Sequence, residues 1–323
     1  MNRPTLRKIV FAKGPREHRI DALRAEFPDL TLTVAAEDAL AADIADAQAM
    51  VGGKLEDGVL DAARELAWLH VPFAGVERVL TPELVARGIT ITNSRGVSAP
   101  NMAEHAVAMM LAFGRGLPTF IRWQDQRIWR DDDHRPAFFE LTGQTVVLLG
   151  VGAIGQAIAA RLRPFGVRII GARRQVQGPE IAGFDRVVPF SALEEVLPEA
   201  DHVVSSLPMT PATKGIVSAD LIARMKPGAR FYNVGRGGTV DQQALIGALR
   251  DGRLAGAGLD VTDPEPLPDD SPLWAMSNVI LTGHTSGTSP MAEARVYEVL
   301  AENIRRYRDG RDLLNVVDVE WGY

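Results

Sequence analysis

The segment Gly150-Val151-Gly152-Ala153-Ile154-Gly155 follows an apolar run at Thr145–Leu149 and opens a stretch of helical character over residues 156–163. A G-x-G-x-x-G says little alone, but between a strand and a helix it has a mechanism. The first glycine permits a tight turn, and the second lets the backbone approach a pyrophosphate. The third lets helix and strand pack closely, and the helix N-terminus offers free N–H groups to the phosphates. The next apolar run, 167–170, gives way to Gly171-Ala172-Arg173-Arg174. An NAD site usually places Asp or Glu near this end for the ribose hydroxyls. A planar, bidentate guanidinium suits the 2′-phosphate of NADP instead. The plain alternative is a pair of surface arginines.

Three further residues sit where chemistry is possible. His284 lies in Gly283-His284-Thr285-Ser286-Gly287, just past the apolar run 279–282, and ligands bind at the carboxyl ends of strands in α/β sheets. Arg236 lies in Asn233-Val234-Gly235-Arg236-Gly237-Gly238, where flanking glycines would let the backbone approach a ligand while the guanidinium grips a carboxylate. Glu265 stands between Pro264 and Pro266, which restrict the backbone and would hold its carboxylate in place. Locally, a surface arginine and a rigid surface turn explain the last two equally well. Of the other histidines, His18 and His134 have polar surroundings and are expected to be solvated. His105, in an apolar helix, and His202, at a strand start, are expected to be structural, and His70 is undecided.

Composition narrows the chemistry. With no cysteine among 323 residues, disulfides, thiolate catalysis and Cys-ligated metals are excluded. Lys and Arg number 35 against 41 Asp and Glu, a net charge of −6, so no broad positive field serves nucleic acid or an acidic membrane. An anionic small substrate would be held by a few local arginines, and no metal is expected. The longest apolar run, 106–113, is far short of the ~18 residues of a membrane span. No signal-peptide core follows the N-terminus, and a cytoplasmic protein is expected.

The elements that must position these residues alternate. Strands are expected at 8–12, 31–34, 49–51, 66–71 and 89–92, with Thr81-Pro82 starting a helix that stops at Gly88. A longer helix follows over 102–113. A second alternation places strands at 145–149, 167–170, 187–188, 202–205, 230–234, 256–261 and 279–282. Ser218 caps one helix, which ends at Pro227-Gly228, and Ser289-Pro290 opens the last, which runs to about Asp309. Strand–helix alternation implies parallel sheets, here in two α/β domains. Between them, residues 115–140 carry Trp123, Trp129, Asp131–Asp133 and Phe138-Phe139 without a clean period. This is either an exposed helix and loop or an arm packed on another subunit, since its aromatics would otherwise be poorly covered.

Taken together, these segments resemble the D-isomer-specific 2-hydroxyacid dehydrogenases over essentially the whole chain. The resemblance rests on residues 69–79 (LHVPFAGVERV), 92–112 (TNSRGVSAPNMAEHAVAMMLA), the glycine fingerprint, 226–239 (KPGARFYNVGRGGT), 258–266 (GLDVTDPEP) and 278–287 (NVILTGHTSG). It implies that Arg236 clamps the substrate carboxylate and polarises the keto oxygen. His284 would be the general acid–base, with Glu265 orienting the imidazole and favouring its charged form. Asp260 would line the nicotinamide side, and Ala74 and Gly75 would offer backbone N–H groups to the carboxylate. The cofactor-binding set would be Gly150, Gly152, Ala153, Ile154, Gly155, Arg173, Arg174, Pro208, Thr213, Val234, Gly235, Asp260 and Gly287. One departure is Gly283 in place of the family's common proline, expected to loosen that loop without displacing the imidazole.

The resemblance also implies an α/β fold of two Rossmann-like domains with parallel sheets. A discontinuous substrate domain (1–99 plus 288–323) would receive an inserted dinucleotide-binding domain (100–287) whose arm around 115–140 forms a homodimer. The implied activity is NADPH-dependent reduction of small 2-keto acids, of the glyoxylate or hydroxypyruvate type, to D-2-hydroxy acids, with NADPH preferred over NADH. A broad or aromatic 2-ketoacid reductase is the alternative. A phosphoglycerate dehydrogenase is another, with Lys54 as its one candidate phosphate ligand. A non-catalytic, cofactor-sensing corepressor on the same fold is the remote one.

Overall fold

The computed structural model describes residues 3–12, 17–36, 38–129, 137–176 and 180–321. The side chain of His18, together with His134 and Asp131–Asp133, lies outside the described residues. The chain divides into two compact units, one built from Met1–Val97 with Ser289–Tyr323 and the other from Ser98–Thr288.

In the first unit, strands β1 (Lys8–Phe11), β2 (Thr31–Val34), β3 (Ala49–Val51), β4 (Trp68–Val71) and β5 (Thr90–Asn93) form one parallel sheet in the order β2-β1-β3-β4-β5. Ile9, Val10 and Phe11 are all buried, as are all four residues of β4, which is why these strands read as continuous apolar runs. Helices α1 (Glu17–Glu26), α2 (Leu40–Asp43), α3 (Asp57–Ala62) and α4 (Pro82–Ala86) connect them. Thr81 caps α4 by accepting from the Leu84 N–H, with Pro82 at its first turn.

The second unit opens with α5 (Ala99–Gly114) and α6 (Leu117–Asp125). Its seven strands are β6 (Thr145–Leu149), β7 (Arg168–Arg173), β8 (Arg186–Pro189), β9 (His202–Ser205), β10 (Arg230–Asn233), β11 (Gly256–Leu259) and β12 (Val279–Leu281). All pair in parallel in the order β12-β11-β10-β9-β6-β7-β8. The order reverses between β6 and β9, the switch point outside which doubly wound sheets bind ligands. Helices α7 (Ala153–Leu162), α8 (Leu193–Val196), α9 (Ala219–Arg224) and α10 (Gln242–Arg250) cover it. Helix α11 (Pro290–Arg308) belongs to the first unit, where Leu300, Ala301, Ile304 and Tyr307 join the core beside Trp68. Ser218, Asp241 and Ser289 cap α9, α10 and α11 through their side-chain oxygens. Among the described residues, no helix is long and apolar enough to cross a membrane.

The strand expected at 256–261 ends at Leu259, the helix expected over 102–113 begins at Ala99, and two further differences bear on the site and the arm. Strand β7 continues through Gly171 and Ala172 to Arg173 rather than stopping at Ile170. A Cβ at Gly171 would lie 2.5 Å from Val151 and 2.7 Å from Phe184, so this glycine serves close packing inside the strand. The 115–140 stretch contains α6, separated from α5 by Gly116 in the left-handed region (φ 65°). Phe120 stacks on Phe138 and meets Trp123 edge-on, while Arg115 lies over Phe138.

His70 belongs to β4 and is fully buried. Thr92 Oγ1 accepts from Trp68 Nε1 at 2.8 Å and lies 2.9 Å from His70 Nδ1, while His70 Nε2 faces Ser94 Oγ at 3.2 Å, so both ring nitrogens are partnered. Burial pushes this imidazole down from 6.5 to about 4, and burial with the nearby Arg230 charge pushes His202 to about 3. The unfolded chain therefore takes up protons that the folded chain refuses, and stability falls as pH falls. The His70 contribution is whole above pH 6.5 and is lost progressively between 6.5 and about 4, roughly 3 kcal/mol at ~1.4 kcal/mol per pH unit. Urea denaturation across this range should show the slope, and His70→Gln should reduce it. An unchanged slope in the variant would assign the acid sensitivity to other groups.

Candidate active site

The glycine fingerprint fits a dinucleotide cradle. Gly150 leaves β6 with φ 102°, and a Cβ on Gly155 would lie 2.0 Å from the Gly150 carbonyl oxygen. Only glycine allows α7 to start this close to the strand. Around Gly152 a Cβ would meet nothing within 4 Å, and Gly152 and Ala153 are exposed. Gly152 is the N-cap of α7 and supplies no side-chain acceptor, so no cap oxygen occupies the first N–H groups. Ile154 is partly covered and packs with the core, while Gly155 is buried. Arg173 ends β7 half-exposed and makes no ion pair among the described residues; Arg174 follows it, exposed. Thr213 Oγ1 donates to the Pro208 carbonyl at 2.6 Å and accepts from the Thr210 N–H, which closes the 208–213 turn. Val234 is buried at the end of β10.

The Arg236 loop is fixed from beneath by Asn233. Its buried amide accepts from the Gly235 N–H at 3.0 Å and donates to the Arg236 carbonyl at 3.0 Å, while Thr239 Oγ1 donates to the same carbonyl at 2.7 Å. The neighbouring glycines admit the protein's own backbone rather than open space for a ligand. A Cβ on Gly235 would lie 2.6 Å from the Leu207 carbonyl oxygen, and one on Gly237 would lie 1.9 Å from that of Thr262. The Arg236 loop is thereby pressed against the turn that carries Glu265. Gln242, the first residue of α10, grips that turn with two hydrogen bonds to Asp263, to its carbonyl at 2.9 Å and from its N–H at 3.0 Å. The Asp263-Pro264 and Glu265-Pro266 peptides are both cis.

Glu265 uses both oxygens. Oε1 accepts from the Thr262 N–H at 3.1 Å, and Oε2 lies 2.9 Å from His284 Nδ1. An ionised carboxylate only accepts, so Nδ1 carries a proton and Nε2 is left to hold or deliver another. The His284 side chain is 48% exposed, open enough to meet a substrate. Its backbone is in the left-handed region at φ 53°, unusual for a residue with a side chain. The conformation is held because the His284 N–H donates to the Asp260 carbonyl at 2.8 Å. Gly283 needs no special backbone angle, and a Cβ there would meet nothing within 4 Å.

Asp260 does more here than its resemblance-based role suggests. It is buried and accepts from Thr282 Oγ1 at 2.6 Å, the Thr285 N–H at 2.9 Å and the Ser286 N–H at 3.1 Å. Burial pushes its carboxyl up, but the donors of Ser286, Thr282 and Thr285 outweigh burial and hold it below the usual carboxylate value. Gly287 ends the same loop, its carbonyl accepting from Ser98 Oγ at 3.0 Å. Ala74 and Gly75 lie in the first unit, where Asn93 Nδ2 donates to the Ala74 carbonyl at 2.8 Å. The sequence reading takes His105 and His202 as structural. His202 is buried between Gln144 and Tyr232, but His105 lies 3.0 Å from Thr282 Oγ1 and so touches the His284 loop. Its spacing from Ser98 and Asn101 on one helix face was the available signal. Among the described residues, no cluster of three or more His, Asp or Glu side chains is placed to hold a metal ion.

Residues 107–286 match the family described as D-isomer specific 2-hydroxyacid dehydrogenase, NAD binding domain. The chain is similar to glyoxylate reductase of Korarchaeum cryptofilum, 33% identical across 81% of this chain and 79% of that protein. It is also similar to D-3-phosphoglycerate dehydrogenase of Mycobacterium leprae, 33% identical across 82% of this chain and 49% of that longer one. Among solved structures, it resembles the NADPH-dependent glyoxylate/hydroxypyruvate reductase of Sinorhizobium meliloti in complex with NADP and sulfate. That comparison has 28% identity and a TM-score of 0.84, covering 98% of this chain and 100% of the other.

Proposed function

Because the chain belongs to the D-isomer specific 2-hydroxyacid dehydrogenase family of NAD(P)-dependent oxidoreductases, we propose that it reduces small 2-keto acids of the glyoxylate or hydroxypyruvate type to D-2-hydroxy acids, with NADPH as the preferred donor. The observation that carries this reading is the oriented pair, His284 Nδ1 at 2.9 Å from a Glu265 carboxylate whose other oxygen is tied to the backbone. A nicotinamide cofactor held by the Gly150–Gly155 turn and the α7 N-terminus would supply the hydride. His284 gives the proton on Nε2 to the keto oxygen and is reprotonated from water, so one hydride and one proton make the hydroxyl-bearing carbon. Glu265 keeps Nδ1 protonated and the ring oriented. Arg236 holds the substrate carboxylate through its planar fork, and the motif around Ala74 and Gly75 supports a carboxylate-binding role for their backbone N–H groups. The unit Ser98–Thr288 is the cofactor domain and the discontinuous unit the substrate domain.

Phosphoglycerate is a poorer candidate substrate, because a lone exposed lysine, Lys54, is the one candidate phosphate ligand. A homodimer is part of the proposal. Leu117, Ile121, Trp129 and Phe138 are 47%, 59%, 96% and 45% exposed along the 115–140 stretch, an apolar band that a second copy would cover. Sedimentation equilibrium should find a dimer at micromolar concentration; a monomer would remove that part. A cytoplasmic location also belongs to the proposal.

His284→Ala should lower kcat by on the order of 10²–10⁴, the usual worth of a positioned acid–base, and leave NADPH affinity nearly unchanged. Full kcat in that variant, measured by loss of reduced-nicotinamide absorbance with glyoxylate and hydroxypyruvate, would sink the mechanism.

The NADPH preference rests on Arg173 at the end of β7. A 2′-phosphate there gains a charge-assisted hydrogen bond worth roughly 1.5–3 kcal/mol, about ten- to a hundredfold in affinity, reduced by salt where exposed. Arg173→Asp should weaken NADPH markedly and improve NADH. Equal kcat/KM for both cofactors in the unmutated protein would show that the arginine does not read the phosphate.

A further inference from the structure

Helix α5 and its N-cap Ser98 present Ser98, Asn101 and His105 at a spacing of three and then four residues, which lines them along one face. All three bond to the loop that carries His284. Ser98 Oγ donates to the Gly287 carbonyl at 3.0 Å, Asn101 Nδ2 donates to the Ser286 carbonyl at 2.6 Å, and His105 Nε2 lies 3.0 Å from Thr282 Oγ1. The direction of the third bond follows from counting protons. Thr282 has one hydroxyl proton, and it goes to Asp260 Oδ1 at 2.6 Å, so Thr282 Oγ1 accepts from His105 Nε2–H. Asp260 in turn anchors the N–H groups of Thr285 and Ser286, on the far side of His284. His105 Nε2 is 3.9 Å from Asp260 Oδ1, and its side chain is largely covered. The opposite side of α5 is ordinary core, with Ala103, Ala106, Val107 and Met110 packed against Val146, Leu148 and Ile158. The helix is therefore a rigid bar whose polar stripe holds both ends of the acid–base loop.

We propose that His105 is a positioning residue for the reduction step. Through the relay His105 Nε2–H to Thr282 Oγ–H to the Asp260 carboxylate, it fixes the loop on which His284 stands. A loop kept at a left-handed histidine by hydrogen bonds alone drifts when one of them is lost, and a displacement of about 1 Å at the reacting group can cost a hundredfold in rate. The inference rests on the reading of His284 as the acid–base.

The test compares His105→Met, which fills the space without a donor, with His105→Gln, whose amide nitrogen can reach the Nε2 position. With NADPH saturating and glyoxylate as substrate, His105→Met should lower kcat about tenfold or more, with KM and NADPH affinity within about twofold of the unmutated protein. Its solvent deuterium isotope effect on kcat should rise as proton transfer becomes limiting. His105→Gln should recover most of the rate. His284→Ala, run alongside, separates the two levels. If it retains kcat, the acid–base reading fails; if it loses kcat while both His105 variants match the unmutated protein, only the positioning role fails. Equal losses in Met and Gln variants accompanied by a lower melting temperature would likewise overturn it, since packing alone would explain them.

Discussion

The carboxylate of Asp260 is the constraint on which the rest of this site depends. It stands one residue past β11, buried, and takes donors from Thr282, Thr285 and Ser286 across the turn leaving β12. A buried charge is costly unless its lone pairs are filled, and here the fillers are mostly backbone groups of the loop being shaped. The carboxylate and the loop thus stabilise each other. Remove the donors and the charge is stranded; remove the charge and the backbone N–H groups of Thr285 and Ser286 lose their acceptor. His284 stands inside this arrangement at positive φ, with its own N–H shared between the Asp260 and Thr282 carbonyls. A strained backbone conformation persists only where the surroundings over-determine it.

The loops past β10 and β11 obey a different rule, that of contact. Gly235 and Gly237 sit where any Cβ would strike the carbonyl oxygens of Leu207 and Thr262, so three strand-end loops nest against one another. Gln242 adds its paired hydrogen bonds to Asp263. Arg236, Glu265 and His284 are far apart in the chain, yet each is carried on a loop whose backbone is fastened to the next. Side chains carried on loops fastened in this way keep their relative placement within small tolerances.

The sequence makes much of this legible, for physical reasons. Parallel strands buried on both faces leave continuous apolar runs, and Thr81, Ser218 and Ser289 announce their helices because a side-chain oxygen must satisfy an orphan N–H. The Gly150–Gly155 turn is legible because its spacing has a mechanism. What is not legible depends on distant partners. Gly171 and Ala172 look like a strand's end, since the Val151 and Phe184 side chains that require a glycine there come from elsewhere in the chain. His105 looks like a core histidine because most of α5 is apolar, and only the fold brings Thr282 beside it. Gly235 and Gly237 read as room for a ligand, when the crowding comes from Leu207 and Thr262. In each case the local pattern is correct about backbone freedom and silent about what uses it.

Charge shows how an acidic chain can serve anionic ligands. With a formal charge of −6, no general field draws a carboxylate or a phosphate toward this protein. Many of its arginines are committed to carboxylates: Arg161 to Glu104, Arg163 to Asp185, Arg168 to Glu199 and Arg224 to Glu194. Under the proposed function, attraction would come from local donors at the carboxyl edge of the sheet: the exposed start of α7, Arg173 at the end of β7 and Arg236. Such donors act over a few ångströms and are oriented, so they discriminate by shape as well as by sign. A net negative surface disfavours non-specific binding of polyanions, so under the proposed function selectivity would rest on a few fixed groups rather than on bulk charge.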